Sequence, residues 1–337
     1  MCWPSPEARP LAIAPLDART YQRHAIHGEE RIWPETNCYT DLLIEVAHGF
    51  GHEPRAMLAF TLAVDFEGDQ WTFFKPSHAD LYALYGFDIQ ELALWKPLVE
   101  HVVEQVGRGH PVLVELDSWY LPDTSGSAYR TQHSKTTVGV NEIDVARSRM
   151  GYFHNASYYA VEGEDFRQLF LLDGAPHERV LPPYVEFIRW RPNFRKLEGP
   201  ALVEAALEIL PRHVARIPAA NPFIAFKERF AADLGWLMGA EMSRFHAYSF
   251  ATLRQYGACF ELAETHLRWL AENGVEGLAP SADALREIAQ TAKNVQFQLA
   301  RAMARRKPLD LTPLDAMGAA WDRAMDPLRK RYGAPSV

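Results

Sequence analysis

The chain has 337 residues, 35 of them basic and 43 acidic, for a formal charge of −8. That balance, without any basic run or stripe, argues against a nucleic-acid binder. Apolar residues make up 48%, enough for globular packing, no apolar run reaches the length of a membrane span, and the chain is longer than one hydrophobic core usually serves.

Residues 1–30 are polar and proline-punctuated and read as an N-terminal arm laid over a first domain. Met1-Cys2-Trp3-Pro4 lacks the basic and apolar regions of a signal peptide, so a cytoplasmic location is expected. The three cysteines, Cys2, Cys38 and Cys259, lie far apart without a CxxC, which argues against a disulfide framework or structural zinc. Cys2 is a weak candidate for an N-terminal nucleophile, because the start is proline-rich and loop-like. At Asn37-Cys38-Tyr39-Thr40-Asp41-Leu42-Leu43-Ile44-Glu45-Val46 an apolar helix begins. Pro34 bars a helix through its own position, and Thr36 or Asn37 can cap it. Leu42, Leu43 and Val46 then share a face. Cys38 sits in the first turn, where unpaired N–H groups and the helix dipole favour a thiolate. A lone cysteine is equally at home as core filler.

His48 and His52 are spaced like a metal pair, but Gly49 and Gly51 break the helix that would align them, and they read as a helix stop. Ala56–Val64 and Gln70–Lys75 read as apolar or alternating segments around the turn Glu67-Gly68-Asp69, with Phe73-Phe74-Lys75-Pro76 ending a strand. Asp80–Leu84 and Pro97–Val106 are helical. His110–Asp117 is a buried strand ending in a carboxylate, and a loop through Trp119 and Tyr120 leads to His133. Thr136–Val140 is a second strand, with Asn141-Glu142-Ile143-Asp144 as its turn. Met150–His154 is a third, followed at once by Asn155. Glu162–Phe166 starts a short helix. The proline-rich stretch Pro176–Pro200, with the alternating run Val185–Trp190, marks a boundary. Beyond it the pattern is helical: Ala201–Leu210, Asn221–Phe245, Phe250–Asn273, Ala282–Arg306 and Thr312–Tyr332. The expected class is α+β, divided into the arm, a domain over 31–190 and a helical domain over 191–337.

Asp117, His133 and Asn155 all fall at strand ends, where a rigid sheet presents reactive groups. A cysteine at a helix start, a histidine heading a strand and an amide just after the next strand is the order of a papain-type site. The thiolate is the nucleophile, the imidazole generates it, and the third group fixes the imidazole tautomer. Singly, His133 also reads as a loop histidine and Asn155 as a turn-former. A smaller cluster, Arg244-Phe245-His246-Ala247-Tyr248 with Arg254-Gln255-Tyr256-Gly257, reads as a polar seam between helices or as the wall of an acceptor pocket.

Asn37–Leu43, Gly109–Asp117 with Trp119-Tyr120-Leu121-Pro122, and His133–Val140 with Tyr152-Phe153-His154-Asn155 resemble the papain-like domain of the butirosin-biosynthesis aminoacyltransferases. Double-glycine leader peptidases share that layout. The whole chain also resembles a bacterial family of no proven activity whose genes can accompany amino-acid:carrier-protein ligases. The resemblance implies a papain-like fold over roughly residues 33–170 and a Cys38/His133/Asn155 triad. The donor it implies is an aminoacylated carrier protein presenting a phosphopantetheine thioester, with no bound cofactor or metal. Asn37, Asp117 and Tyr120 would bind substrate, Asn37 or another donor joining the Cys38 N–H in an oxyanion hole, and His246 and Arg254 would belong to the wall of the acceptor pocket. Asp117 would bind the donor's ammonium or support the loop, and it rivals Asn155 for the third triad place, as does His154. The chain departs from papain-like enzymes in lacking the oxyanion-hole glutamine, whose approximate place Ile32 takes. The expected function is aminoacyl transfer to an amine. A cysteine peptidase or amidase, or an inactive carrier-binding module, are the alternatives.

Overall fold

The computed structural model describes residues 11–13, 15–174 and 181–333, so Cys2 lies outside the described residues. The chain sorts into two units. The first holds residues 1–28, 37–53 and 81–196, and the second 29–36, 54–80 and 197–337. The segments 31–36 and 54–80, expected in the domain over 31–190, and residues 29–30, expected in the arm, thus pack with the helical part.

In the first unit a six-stranded sheet has the order β1-β6-β2-β3-β4-β5. The strands are β1 (Phe87–Glu91), β2 (Val112–Asp117), β3 (Lys135–Asp144), β4 (Arg149–His154), β5 (Ser157–Glu162) and β6 (Val185–Trp190). Every neighbouring pair is antiparallel. Helices α1 (Cys38–Gly49), α3 (Leu98–Gly107) and α4 (Glu164–Leu169) belong to this unit. The α2 helix (His78–Tyr85) contains the point of division.

Alternation along each strand decides which helix covers which face. Val112, Val114, Leu116, Val138, Val140 and Tyr152 turn to one face and form a core with Val99, Val102 and Val106 of α3 and Phe166 of α4. Helix α1 lies on the other face. Gly139 is what lets it approach: a Cβ there would stand 2.7 Å from Leu42 Cδ1 and 3.5 Å from Val46 Cγ2. Gly139 pairs with Leu113, so Leu113, Glu115 and Asp117 share the α1 face. The helix is buried on nearly every side, from Tyr39 to Ala47. Its second side is covered by the N-terminal segment, from which Tyr21, His24 and His27 reach Glu45.

Two local expectations are corrected. Asn141–Asp144 is not a turn but the continuation of β3, with a register shift between Val140 and Glu142 where the ladder takes up an extra residue. The apolar segment Ala56–Val64 lies in 3-10 helix over Pro54–Ala63, and the strand expected to end at Phe73–Pro76 does not form. Gln70–Lys75 contributes to a single bridge, Phe66 with Trp71. Both segments lie in the helical unit, where a β-ladder has no partner strand to extend it.

The second unit is built from α5 (Gly199–Val214), α6 (Pro222–Leu237), α7 (Met242–Ser249), α8 (Gln255–Glu272), α9 (Ala279–Arg305) and α10 (Thr312–Tyr332). A π-helical turn, Phe250–Arg254, joins α7 to α8. The expected helix over Asn221–Phe245 is interrupted between Leu237 and Met242, around Gly239. Trp71 is buried among Phe223, Phe226 and Tyr256. Gly257 faces Trp33 so closely that a Cβ would fall 2.8 Å from the indole. No helix among the described residues is long and apolar enough to cross a membrane.

Candidate functional site

Cys38 is the first residue of α1 and half-buried. Asn37 is its N-cap, in extended conformation, and the Asn37 side-chain oxygen accepts from the Thr40 amide at 2.9 Å. Asp41 in the first turn adds favourable charge at the positive end of the helix. The next residue, Tyr39, donates its hydroxyl to Glu186 of β6 at 2.8 Å, which fixes the start of the helix over that strand. Cys259, by contrast, is fully buried, its thiol donates to the Thr61 carbonyl, and burial pushes its pKa well up, so it is an inert core thiol.

Asp117 ends β2 and His133 lies just ahead of β3. The loop between them is closed by its own hydrogen bonds. Ser118 donates through both N–H and Oγ to the Ser134 carbonyl, at 2.8 and 2.9 Å. Arg130 N–H donates to Trp119 O, and Thr124 Oγ1 to Ser118 O. Asp117 divides its carboxylate: Oδ1 accepts from the Trp119 amide at 3.0 Å, and Oδ2 from His133 Nδ1 at 2.6 Å. Trp119 stacks on the imidazole with centroids 4.4 Å apart and planes 7° from parallel. Tyr120 approaches its edge at 6.4 Å. Arg130 covers Tyr120 at 5.4 Å and pairs with Asp165. The His133 side chain is 64% exposed. Its Nε2 has no hydrogen-bond partner among the described residues.

The orienting role expected of Asn155 falls to Asp117. Asn155 occupies the turn between β4 and β5 at φ 45°, a left-handed conformation that asparagine tolerates, and makes no hydrogen bond to His133. The other rival, His154, shares the alternation of Tyr152 and so lies on the opposite face of the sheet from Asp117. There it is buried, with Nδ1 on Asp123 at 2.5 Å and Nε2 against Thr136 Oγ1 at 2.8 Å. Both nitrogens are used, so this is a structural histidine.

Cys38 and His133 are not hydrogen-bonded to each other among the described residues. Both belong to the α1 side of the sheet, where α1 closes on β3 at Gly139. His246 and Arg254 belong to the second unit. His246 is exposed on α7 against Phe245, and Arg254 donates to the Glu35 carbonyl at 3.0 Å. No group of three or more His, Cys, Asp or Glu that could hold a metal occurs among the described residues.

A second cluster lies at α1, outside the residues that the sequence motifs single out. His27 is fully buried and bridges two carboxylates of the helix, Glu45 through Nδ1 at 2.5 Å and Asp41 through Nε2 at 3.4 Å. Burial pulls its pKa down, but the hydrogen bonds and charges of Asp41 and Glu45 outweigh that and raise it to about 9. The signal was present in the sequence. Two carboxylates at i, i+4 on an otherwise apolar helix demand a cationic partner if the helix is buried.

Residues 22–190 match the DUF1839 N-terminal domain and residues 199–330 the DUF1839 C-terminal domain. No curated protein matches the chain.

Proposed function

The chain belongs to the DUF1839 family, matched in both of its domains, and from that premise we propose that it is a cysteine-dependent acyltransferase of papain-like type, with Asp117–His133 as its acid–base pair. One observation carries the reading: Asp117 fixes His133 through Nδ1 and leaves Nε2 open on the face of the sheet that carries α1. A carboxylate on Nδ1 holds the tautomer whose Nε2 can accept a proton, and it stabilises the imidazolium that results.

His133 Nε2 takes the Cys38 thiol proton. The Cys38 thiolate attacks the carbonyl of a thioester, the C–S bond to the donor breaks, and the departing thiolate leaves with the proton from the imidazolium. The acyl group is then a thioester on Cys38. In the second half His133 removes a proton from an amine as its nitrogen attacks, an amide forms, and Cys38 is released as the thiol. The resemblance supplies the donor class, an aminoacyl group on the phosphopantetheine arm of a carrier protein. Because Sγ and Nε2 are not hydrogen-bonded to each other, the loaded site must bring both to the same acyl carbon.

The absence of that hydrogen bond favours a second reading, in which His133 activates water or an amine directly and Cys38 is not acylated. Intact-mass measurement after mixing the protein with an aminoacyl-carrier thioester separates the two. The expected result is an adduct that maps to Cys38, disappears in Cys38→Ala and is discharged to an amide by an amine. Turnover that persists in Cys38→Ala overturns the covalent reading, and cleavage of simple peptide amides without thioester loading replaces it with a peptidase.

A further inference from the structure

The loop that carries the Asp117–His133 pair also carries a second carboxylate, bound to a histidine on the other face of the sheet. The loop leaves β2 at Asp117 and returns at Lys135, the rung where the β2–β3 ladder ends. Its outgoing arm holds Trp119, whose ring stacks on the His133 imidazole, and then Asp123 in a 3-10 turn over Pro122–Thr124. Its returning arm holds His133 and, at the start of β3, Thr136. Thr136 pairs with Leu116, a residue of the α3 core, and so lies on the same face as His154. His154 touches both arms. Its Nδ1 stands 2.5 Å from Asp123 Oδ2 and its Nε2 2.8 Å from Thr136 Oγ1. Tyr152 donates to the other Asp123 oxygen at 2.5 Å. The His154 and Asp123 side chains are 1% and 3% exposed.

A long surface loop is ordinarily among the least ordered parts of a domain. The run Asp123-Thr124-Ser125-Gly126-Ser127, with Gly126 at φ 94°, gives this one little stiffness of its own. Its tip is tied down by Tyr129 and Arg130, which both bond Asp165 of α4. The near-parallel stack of Trp119 on His133 further requires the two arms to keep a fixed separation. Ser118 and Ser134 hold them together at the backbone, and His154 holds them from beneath. With Asp123 Oδ2 accepting, Nδ1 carries the proton, and Nε2 accepts from the Thr136 hydroxyl. Either bond, once broken, leaves a buried polar group unsatisfied, so the bridge resists opening.

We propose that His154 is a positioning residue for His133. From the far face of the sheet it bridges the Trp119 arm and the His133 arm, and so keeps the imidazole on Asp117 with Nε2 open. It touches no reacting group and acts only through the loop. Its effect on the loading of Cys38 rests on the acyl-transfer reading, whereas the placing of His133 does not.

Imidazole nitrogen NMR shifts of His133 in the full-length protein, assigned by their loss in His133→Gln, test the placing, because they report which nitrogen of the neutral ring carries the proton. The wild type should show Nδ1–H. Thr136→Val keeps the shape of the side chain and removes its hydroxyl. It should move His133 toward the Nε2–H form and slow thioester loading of Cys38 by about tenfold. Thr136→Ser returns the hydroxyl and should restore both. His154→Phe should act like Thr136→Val and more strongly; if it fails to fold, the two Thr136 variants decide alone. Wild-type shifts in Thr136→Val, or an equal change in Thr136→Ser, overturn the proposal. Moved shifts with unchanged loading in Thr136→Val, where Asp117→Asn loads slowly, overturn the part of His154 in the reaction. Moved shifts with unchanged loading in both Thr136→Val and Asp117→Asn uphold the placing of His133 and overturn the acyl-transfer reading instead.

Discussion

His27 and His133 each hold a carboxylate through Nδ1, at 2.5 and 2.6 Å, within the same unit. What differs is the second nitrogen and the surroundings. His27 is wholly buried and gives Nε2 to Asp41, so its charge is locked between two partners and serves to hold the N-terminal segment on α1. His133 is open, its ring is steadied by Trp119, and Nε2 remains free. The lesson is that a short histidine–carboxylate bond does not identify a reactive pair. The unused nitrogen and its access to a reacting group do.

The two histidines should therefore fail in opposite ways. His133→Ala should lower acyl transfer by about 10²–10⁴, the range of a general acid–base residue, with the unfolding midpoint nearly unchanged. His27→Ala should leave two buried carboxylates without their cation and cost about 3–5 kcal/mol of stability in urea unfolding. If His27→Ala unfolds like the wild type, or His133→Ala loses stability instead of activity, the comparison breaks.

The pH dependence sharpens it. The pKa of His27 is raised from 6.5 to about 9 on folding, so the folded state holds its proton more tightly. Its contribution is full below pH 6.5 and is lost as pH rises through 9, amounting to about 3 kcal/mol. Wild-type stability should fall over that window, and His27→Gln should flatten the fall. The smallest effect is expected at Asn155. Glycine accepts its φ of 45°, so Asn155→Gly should alter stability by only about 0.5 kcal/mol and leave transfer intact.

Much of this was legible in the residues. Asn37 as cap, Cys38 in the first turn, the strand at Val112–Asp117 and the helical C-terminal half follow from capping and periodicity, which are local signals, whereas the alternating run Val185–Trp190 reads as part of a boundary and forms β6. Strands β1 and β5 were not foreseen. Phe87–Glu91 is short and finds its partner β6 only about a hundred residues later, a pairing no local pattern announces. Asn155 drew attention because it follows a strand, yet its side chain answers to the turn it makes. Asp117 was seen at the end of its strand, but its bond to His133 depends on how the intervening loop closes, through Ser118 and Ser134. His154 shows what parity decides: one residue along β4 determines which face of the sheet a histidine serves.

Asp117, not Asn155, holds His133, and in the proposed reaction that histidine serves Cys38. The rate at which an aminoacyl thioester loads Cys38, followed by intact mass in a single turnover, tests it in three proteins. Asp117→Asn should slow loading by about a hundredfold or more, because the imidazole loses its anionic partner, while Asn155→Gly should load at the wild-type rate. Unchanged loading in Asp117→Asn, or an equal loss in Asn155→Gly, would contradict it.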